Sequence, residues 1–130
     1  MLSSGSSKLD DAAELFQKAG NSYKICKNWT EAGKAFCKAA EIQLKQNTKH
    51  EAATMYNEAA NSYKKADPQE ALNCLLKSCE IYIDMGRLVM AAKQYQTIAE
   101  LFESEVVDVP NAITYYEKSA DLFKTEENNA

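Results

Sequence analysis

The sequence predicts an all-α protein: a tetratricopeptide-like α-solenoid of about six antiparallel helices, paired as three hairpins in a twisted sheet. Three observations predict it. The 130 residues include only four Gly and two Pro, and the abundant Ala, Glu, Lys, Gln and Leu lose little side-chain entropy in a helix. One residue pattern recurs six times at a spacing near twenty, the signature of a repeat architecture. Helix-start signals fall between the copies.

The copies read "AAELFQKAGNSY" from Ala12, "AGKAFCKAAEIQ" from Ala32, "AATMYNEAANSY" from Ala52, "ALNCLLKSCEIY" from Ala71, "AAKQYQTIAELF" from Ala91 and "AITYYEKSADLF" from Ala112. Their anchors stand 20, 20, 19, 20 and 21 residues apart. Each has Ala and an aromatic residue or Leu four later; small residues follow at seven and eight, except Ile98 at seven in the fifth copy, and the close is aromatic except at Gln43 in the second. Those offsets mark one face of an α-helix. Small residues let neighbouring helices approach, and the residue four after the anchor fills the gap between them. Short connections force successive helices into antiparallel hairpins.

Taken in order, the polar start "MLSSGSSKLDD" reads as a flexible segment over residues 1–8, and the helical repeat domain spans 9–125. Lys27 sits at the first hairpin turn. Asn28-x-x-Glu31 and Thr48-x-x-Glu51 resemble capping boxes that start the second and third helices. Lys64-Lys65 closes the third helix. Asp67-x-x-Glu70 starts the fourth, with Pro68 suited to its first position. In "IYIDMGRLVMAAK", Gly86 suits the left-handed residue that ends a helix. In the fifth helix Ala91, Tyr95, Ile98, Ala99 and Phe102 share an arc of about 100°, which turns Lys93 outward. Pro110 marks the last start. The helix from Ala112 to Lys124 keeps Ile113, Tyr116, Leu122 and Phe123, residues that suit a seventh helix. Residues 126–130 read as an acidic, polar tail.

The composition excludes several function classes. No run of 18 apolar residues exists to span a membrane, and no signal-peptide apolar region opens the chain, so a soluble intracellular protein is expected. Asn28-Trp29-Thr30 matches a glycosylation sequon without the secretory context that would use it. Net charge is −4, with residues 1–65 at +3 and residues 66–130 at −7. That balance lacks the basic stripe of a nucleic-acid binder. Cys26, Cys37, Cys74 and Cys79 form no CxxC pair, and their spacing suits neither zinc nor a disulfide framework. They read as reduced, buried hydrophobes within helices. His50, the single histidine, follows the cap at Thr48 and suits a solvated role. No nucleotide-binding or hydrolase motif occurs, and the Tyr and Phe stripe reads as core. An enzyme is not expected, nor a metal or cofactor.

Binding remains. The candidate cations are Lys27, Lys64, Lys65, Arg87 and Lys93. Periodicity alone makes each a solvated charge, since Lys near a helix C-terminus is favoured by the macrodipole without further function.

The segments "NWTEAGKAFCKAAEIQLKQNTKHEAAT", "YKKADPQEALNCLLKSCEIYIDMGR" and "AAKQYQTIAELFESE" closely resemble the soluble NSF attachment proteins, of alpha and beta type. The blocks "KKADPQEA" and "IDMGR" are more specific than generic repeat positions, and "VVDVPNAITYYEKSADLFKTEE" continues the likeness. It covers nearly the whole chain from Lys8. The resemblance implies a non-catalytic, cytoplasmic adaptor, at most peripheral to membranes, acting in membrane fusion and vesicle-mediated protein transport. Its partners would be the assembled SNARE complex, of syntaxin, SNAP-25-type and VAMP-type helices, and the ATPase NSF. SNARE bundles are acidic, and the family's basic contacts map by position onto Lys27, Lys64, Lys65, Arg87 and Lys93. The family's membrane-inserting loop would correspond here to Met1-Leu2 at most. Its C-terminal, NSF-engaging part has no counterpart in these residues. The resemblance therefore implies SNARE binding without efficient NSF recruitment. A tetratricopeptide-type peptide-binding scaffold and a regulatory fragment are the alternative readings.

Overall fold

A computed structural model describes the backbone of residues 4–129 and the side chains of residues 8–128. Six helices follow one another: α1 (Ser4–Ile25), α2 (Trp29–Lys45), α3 (Lys49–Tyr63), α4 (Pro68–Asp84), α5 (Leu88–Ser104) and α6 (Val109–Asn129). No strand occurs among the described residues. The helical bounds run past both expected edges of the repeat domain. Helix α1 already includes Ser4–Lys8, and α6 continues beyond Thr125. Met1 and Leu2 lie outside the described residues.

The repeat anchors have a definite structural meaning. In α2 to α6 each anchor is the fourth helical residue, and its amide makes the first intrahelical hydrogen bond. Ala32, Ala52, Ala71, Ala91 and Ala112 donate to the carbonyls of Asn28, Thr48, Asp67, Arg87 and Asp108 at 3.0–3.1 Å. All five alanines are buried. Alanine suits a position where the helix start is pressed against its neighbour and no longer side chain fits. The small residues behind it, such as Ala39-Ala40 and Ala59-Ala60, are buried as well.

Three turns share one device. Lys27, Asn47 and Gly86 adopt φ of +60°, +63° and +73°. Their amides donate to the carbonyls of Lys24, Leu44 and Ile83, and the next amides donate to those of Tyr23, Gln43 and Tyr82. That is the Schellman closure of a helix C-terminus. The sequence signals it at Gly86 only, since Lys27 and Asn47 tolerate the left-handed region less readily. The residue after each left-handed position is the N-cap of the next helix, which keeps the repeat near twenty.

Two of the three expected capping boxes are corrected. Asp67 accepts from the Glu70 amide at 3.3 Å, but Asn28 and Thr48 make no side-chain cap bond. Thr48 instead donates its hydroxyl to the Gln43 carbonyl at 3.0 Å, finishing α2 rather than starting α3. Glu31 pairs with Lys34. The last helix has a cap that Pro110 did not reveal, since Asp108 accepts from the Asn111 amide at 3.2 Å.

Each helix packs antiparallel against the next, and side-chain contacts sort the helices into two layers. Lys24 of α1 reaches Glu58 of α3, and Asn57 of α3 bonds Gln94 of α5. In the other layer Cys37 of α2 meets Cys74 of α4. Phe36, Leu72 and Ile98 are the largest fully buried apolar side chains, and burying each contributes about 1.5–3 kcal/mol. The residue four after the anchor is buried in the central repeats, at Phe36, Tyr56 and Leu75. In α6 its counterpart Tyr116 is exposed and donates its hydroxyl to Glu103 at 2.8 Å.

Candidate functional site

The five candidate cations are all exposed, and alternation of the helices distributes them. The turns after α1 and α3 lie at one end of the solenoid, so Lys27, Lys64 and Lys65 gather there. Lys27 holds the left-handed turn position. Lys64 caps the C-terminus of α3. Lys65 places its ammonium 4.8 Å from the ring centroid of Trp29, a cation–π contact that ties the end of α3 to the start of α2.

Arg87 lies at the opposite end, in the turn between α4 and α5, where it is the N-cap without donating to its own helix. The 17 residues of α4 separate the two ends by about 25 Å at 1.5 Å per residue. Asp84 is engaged by the Lys49 ammonium, so the acid three residues before Arg87 already has a cation. Lys93 is one and a half turns into α5.

Lys64 and Lys93 share one layer surface. Lys64 lines a shallow depression with Thr97, Glu100, Leu101, Ser104 and Glu105 of α5, and Thr97 donates its hydroxyl to the Lys93 carbonyl at 3.2 Å. The rotation of α5 that turns Lys93 outward is set by its neighbour Gln94. The Gln94 amide donates to Asn57 Oδ1 at 2.7 Å and lies within hydrogen-bond reach of Ser78 Oγ. Ser78 Oγ donates to Asn57 Oδ1 at 2.8 Å, and Asn57 Nδ2 donates to the Tyr82 hydroxyl at 3.0 Å. This polar knot joins α3, α4 and α5. Ser78 is fully buried and its hydroxyl also reaches the Leu75 carbonyl of its own helix at 3.1 Å, so a slip of a neighbouring helix would break the bonds between helices, each contributing about 0.5–1.5 kcal/mol.

Among the described residues none of the five cations forms an ion pair, whereas Lys18, Lys24, Lys34 and Lys49 each hold an acid. Sequence reasoning missed a second set of lysines. Lys38, Lys77 and Lys118 stand six after the anchors of α2, α4 and α6, and their ammonium groups lie 5.5–5.6 Å from the ring centroids of Phe16, Tyr56 and Tyr95. Their recurrence at one repeat position was the available signal. Each covers an aromatic ring of the preceding helix, a packing role.

The chemistry for catalysis is sparse. Among the described residues no group of three or more His, Cys, Asp or Glu is placed to hold a metal, and no helix is long and apolar enough to cross a membrane. His50 is exposed in the first turn of α3. The cysteines depart from expectation. Cys26 is exposed and lies in the turn after α1, Cys37 is half-buried, and only Cys74 and Cys79 are buried. Burial pushes the Cys79 thiol up to about 11 and the Tyr56 phenol up to about 12.

Comparison with known proteins gives one consistent result. The family model for soluble NSF attachment protein matches residues 1–130. The alpha-soluble NSF attachment protein of Mus musculus is 53% identical over 129 residues, covering 99% of this chain and 44% of the relative. The beta-soluble NSF attachment protein of Bos taurus is 49% identical, covering 99% and 43%. A probable vesicular-fusion protein sec17 homolog of Schizosaccharomyces pombe is 36% identical, covering 99% and 45%. The chain thus spans less than half the length of the relatives it matches.

Proposed function

The chain belongs to the soluble NSF attachment protein family, and from that premise we propose that it is a non-catalytic adaptor that binds the assembled SNARE bundle. The bundle is the substrate of the ATPase NSF, to which the relatives' names refer. What supports the reading is the family match together with the exposure of Lys27, Lys64 and Lys65 at one end, Arg87 at the other and Lys93 between, each without an acidic partner among the described residues. A rigid row of helices holding charge at both ends suits a long, acidic, helical ligand better than a short peptide. Contacts about 25 Å apart read the direction and register of a rod. Electrostatic complementarity of this kind steers encounter and selects partners more than it adds affinity.

The same reading makes the protein cytoplasmic and at most peripheral to membranes, brought there by its SNARE ligand. The test is a pull-down of assembled against unassembled SNARE helices. The reading expects clear preference for the assembled bundle; equal recovery of the separate helices would overturn it. Addition of NSF and ATP to the bound bundle reads the coupling to disassembly separately.

A further inference from the structure

We propose that Cys37 and Cys74 are a redox-responsive pair that closes to a disulfide on exposure to a peroxide and thereby clamps α2 to α4. The two residues are 37 apart in sequence, on helices joined only through α3, yet their sulfur atoms lie 3.5 Å from each other. A disulfide requires about 2.05 Å, so an approach of roughly 1.5 Å completes the bond. Their environments differ in the way such chemistry needs. Cys37 is half-buried and Cys74 is buried, so an oxidant meets Cys37 first.

The surrounding charges agree with that order. The hydrogen bond from Cys74 holds the Cys37 thiol below its ordinary range, with Lys77 assisting against burial, Glu41 and Glu70. Cys74, the more deeply buried of the two, is pushed upward by the same hydrogen bond and by burial. The thiolate is the nucleophile, which makes Cys37 the attacking group and Cys74 the resolving one. Cys79 donates its S–H to the Ala91 carbonyl at 3.6 Å, and Cys26 sits in the turn after α1, outside this pair.

The steps balance. Cys37, having released its proton, attacks one oxygen of hydrogen peroxide; the O–O bond breaks, a sulfenic acid forms and hydroxide leaves. The Cys74 sulfur then attacks the Cys37 sulfur, the S–O bond breaks, and water leaves with the Cys74 proton. Two thiols lose two electrons and two protons, and one peroxide becomes two waters. The product joins two helices of one layer, fixing the spacing between successive hairpins. Closing a long loop also restricts the unfolded chain.

The experiment exposes the reduced protein to hydrogen peroxide and reads intact mass, non-reducing peptide maps and thermal unfolding. The expected result is a loss of 2 Da, roughly the two hydrogens removed on forming one disulfide, in a Cys37–Cys74 linked peptide. The unfolding midpoint should rise by several degrees, reversed by dithiothreitol. Cys26→Ser should keep the mass loss, and Cys37→Ala, at a half-buried site, should abolish it. Linkage through Cys26 or Cys79, stable sulfinic acid at Cys37 without linkage, or no reaction would each overturn the proposal.

Discussion

Gly33 of α2 lies against the ring of Tyr63 in α3, so close that a Cβ at position 33 would stand 2.6 Å from the ring's Cε2 and Cζ. Tyr63 is buried, so its ring would have to shift among packed neighbours to admit a methyl group. Helix propensity favours alanine over glycine by about 1 kcal/mol, whereas overpacking a filled contact costs about 1–3 kcal/mol. Gly33→Ala should therefore destabilise, lowering the urea midpoint. The loss should shrink in a Tyr63→Leu background, because the two sites share one contact. A stabilised Gly33→Ala would show that the α2–α3 spacing is soft.

Gln43 occupies the repeat position held by Tyr23, Tyr63, Tyr82, Phe102 and Phe123 in the other helices. Its Oε1 is buried without a hydrogen-bond partner. An unpaired buried acceptor costs about 1–3 kcal/mol, and an apolar side chain carries no such cost. Gln43→Leu should raise stability by roughly 1 kcal/mol. Chemical denaturation checks it, and a loss of stability would mean that the amide is satisfied in solution.

These two sites also show what was legible in the residues alone. The anchors from Ala12 to Ala112 revealed six helices, their order and their spacing, because helix periodicity is local. Gly86 and Asp67 were readable for the same reason, each acting within its own turn. The Cys37–Cys74 approach and the knot of Asn57, Ser78, Tyr82 and Gln94 were not. They depend on how far one helix slides along another, which no single helix encodes. The left-handed backbone at Lys27 was hidden because lysine is not the residue that such a turn prefers. The family likeness suggested the five cations; the structure adds that they stand exposed and without ion pairs, four of them at the two ends and Lys93 between.

Alkaline pH should destabilise the fold through Tyr56. Burial raises its phenol from the ordinary 10 to about 12 in the folded state. Below pH 10 both states keep the proton, and this favourable difference is fully present. Between 10 and 12 the unfolded chain releases the proton while the folded chain retains it, so stability falls as pH rises. The gap corresponds to at most roughly 2–3 kcal/mol. In unfolding curves recorded under reductant, Tyr56→Phe should flatten this decline. Equal slopes for the two proteins would remove Tyr56 as its source.

Charge reversal should separate binding from folding. Lys64, Arg87 and Lys93 are exposed and form no ion pairs, so Lys64→Glu, Arg87→Glu and Lys93→Glu together should leave the helical circular dichroism unchanged. Each replaces an attraction to an acidic bundle by a repulsion, and three such changes should weaken SNARE-bundle binding roughly tenfold or more. Binding of the unaltered protein should likewise fall as salt rises toward about 1 M, where screening acts within about 3 Å. Unchanged recovery by the triple variant would reject these three residues as contacts.

Lys27 gives the sharpest case, because its backbone and its charge make opposite demands. Its φ of +60° places an L-residue in the left-handed region, at a cost of roughly 1–2 kcal/mol. Glycine removes that cost but makes the unfolded chain more flexible, which returns about 0.4–1 kcal/mol. Lys27→Gly should therefore stabilise the fold by about 0.5–1 kcal/mol net. The same substitution deletes a candidate SNARE contact, so affinity should fall while the unfolding midpoint rises. Lys27→Asn, which tolerates the left-handed region better than lysine, should behave in the same direction. If Lys27→Gly raises the midpoint and leaves binding intact, position 27 serves the turn alone, and the bundle is read by Lys64, Lys65, Arg87 and Lys93 without it.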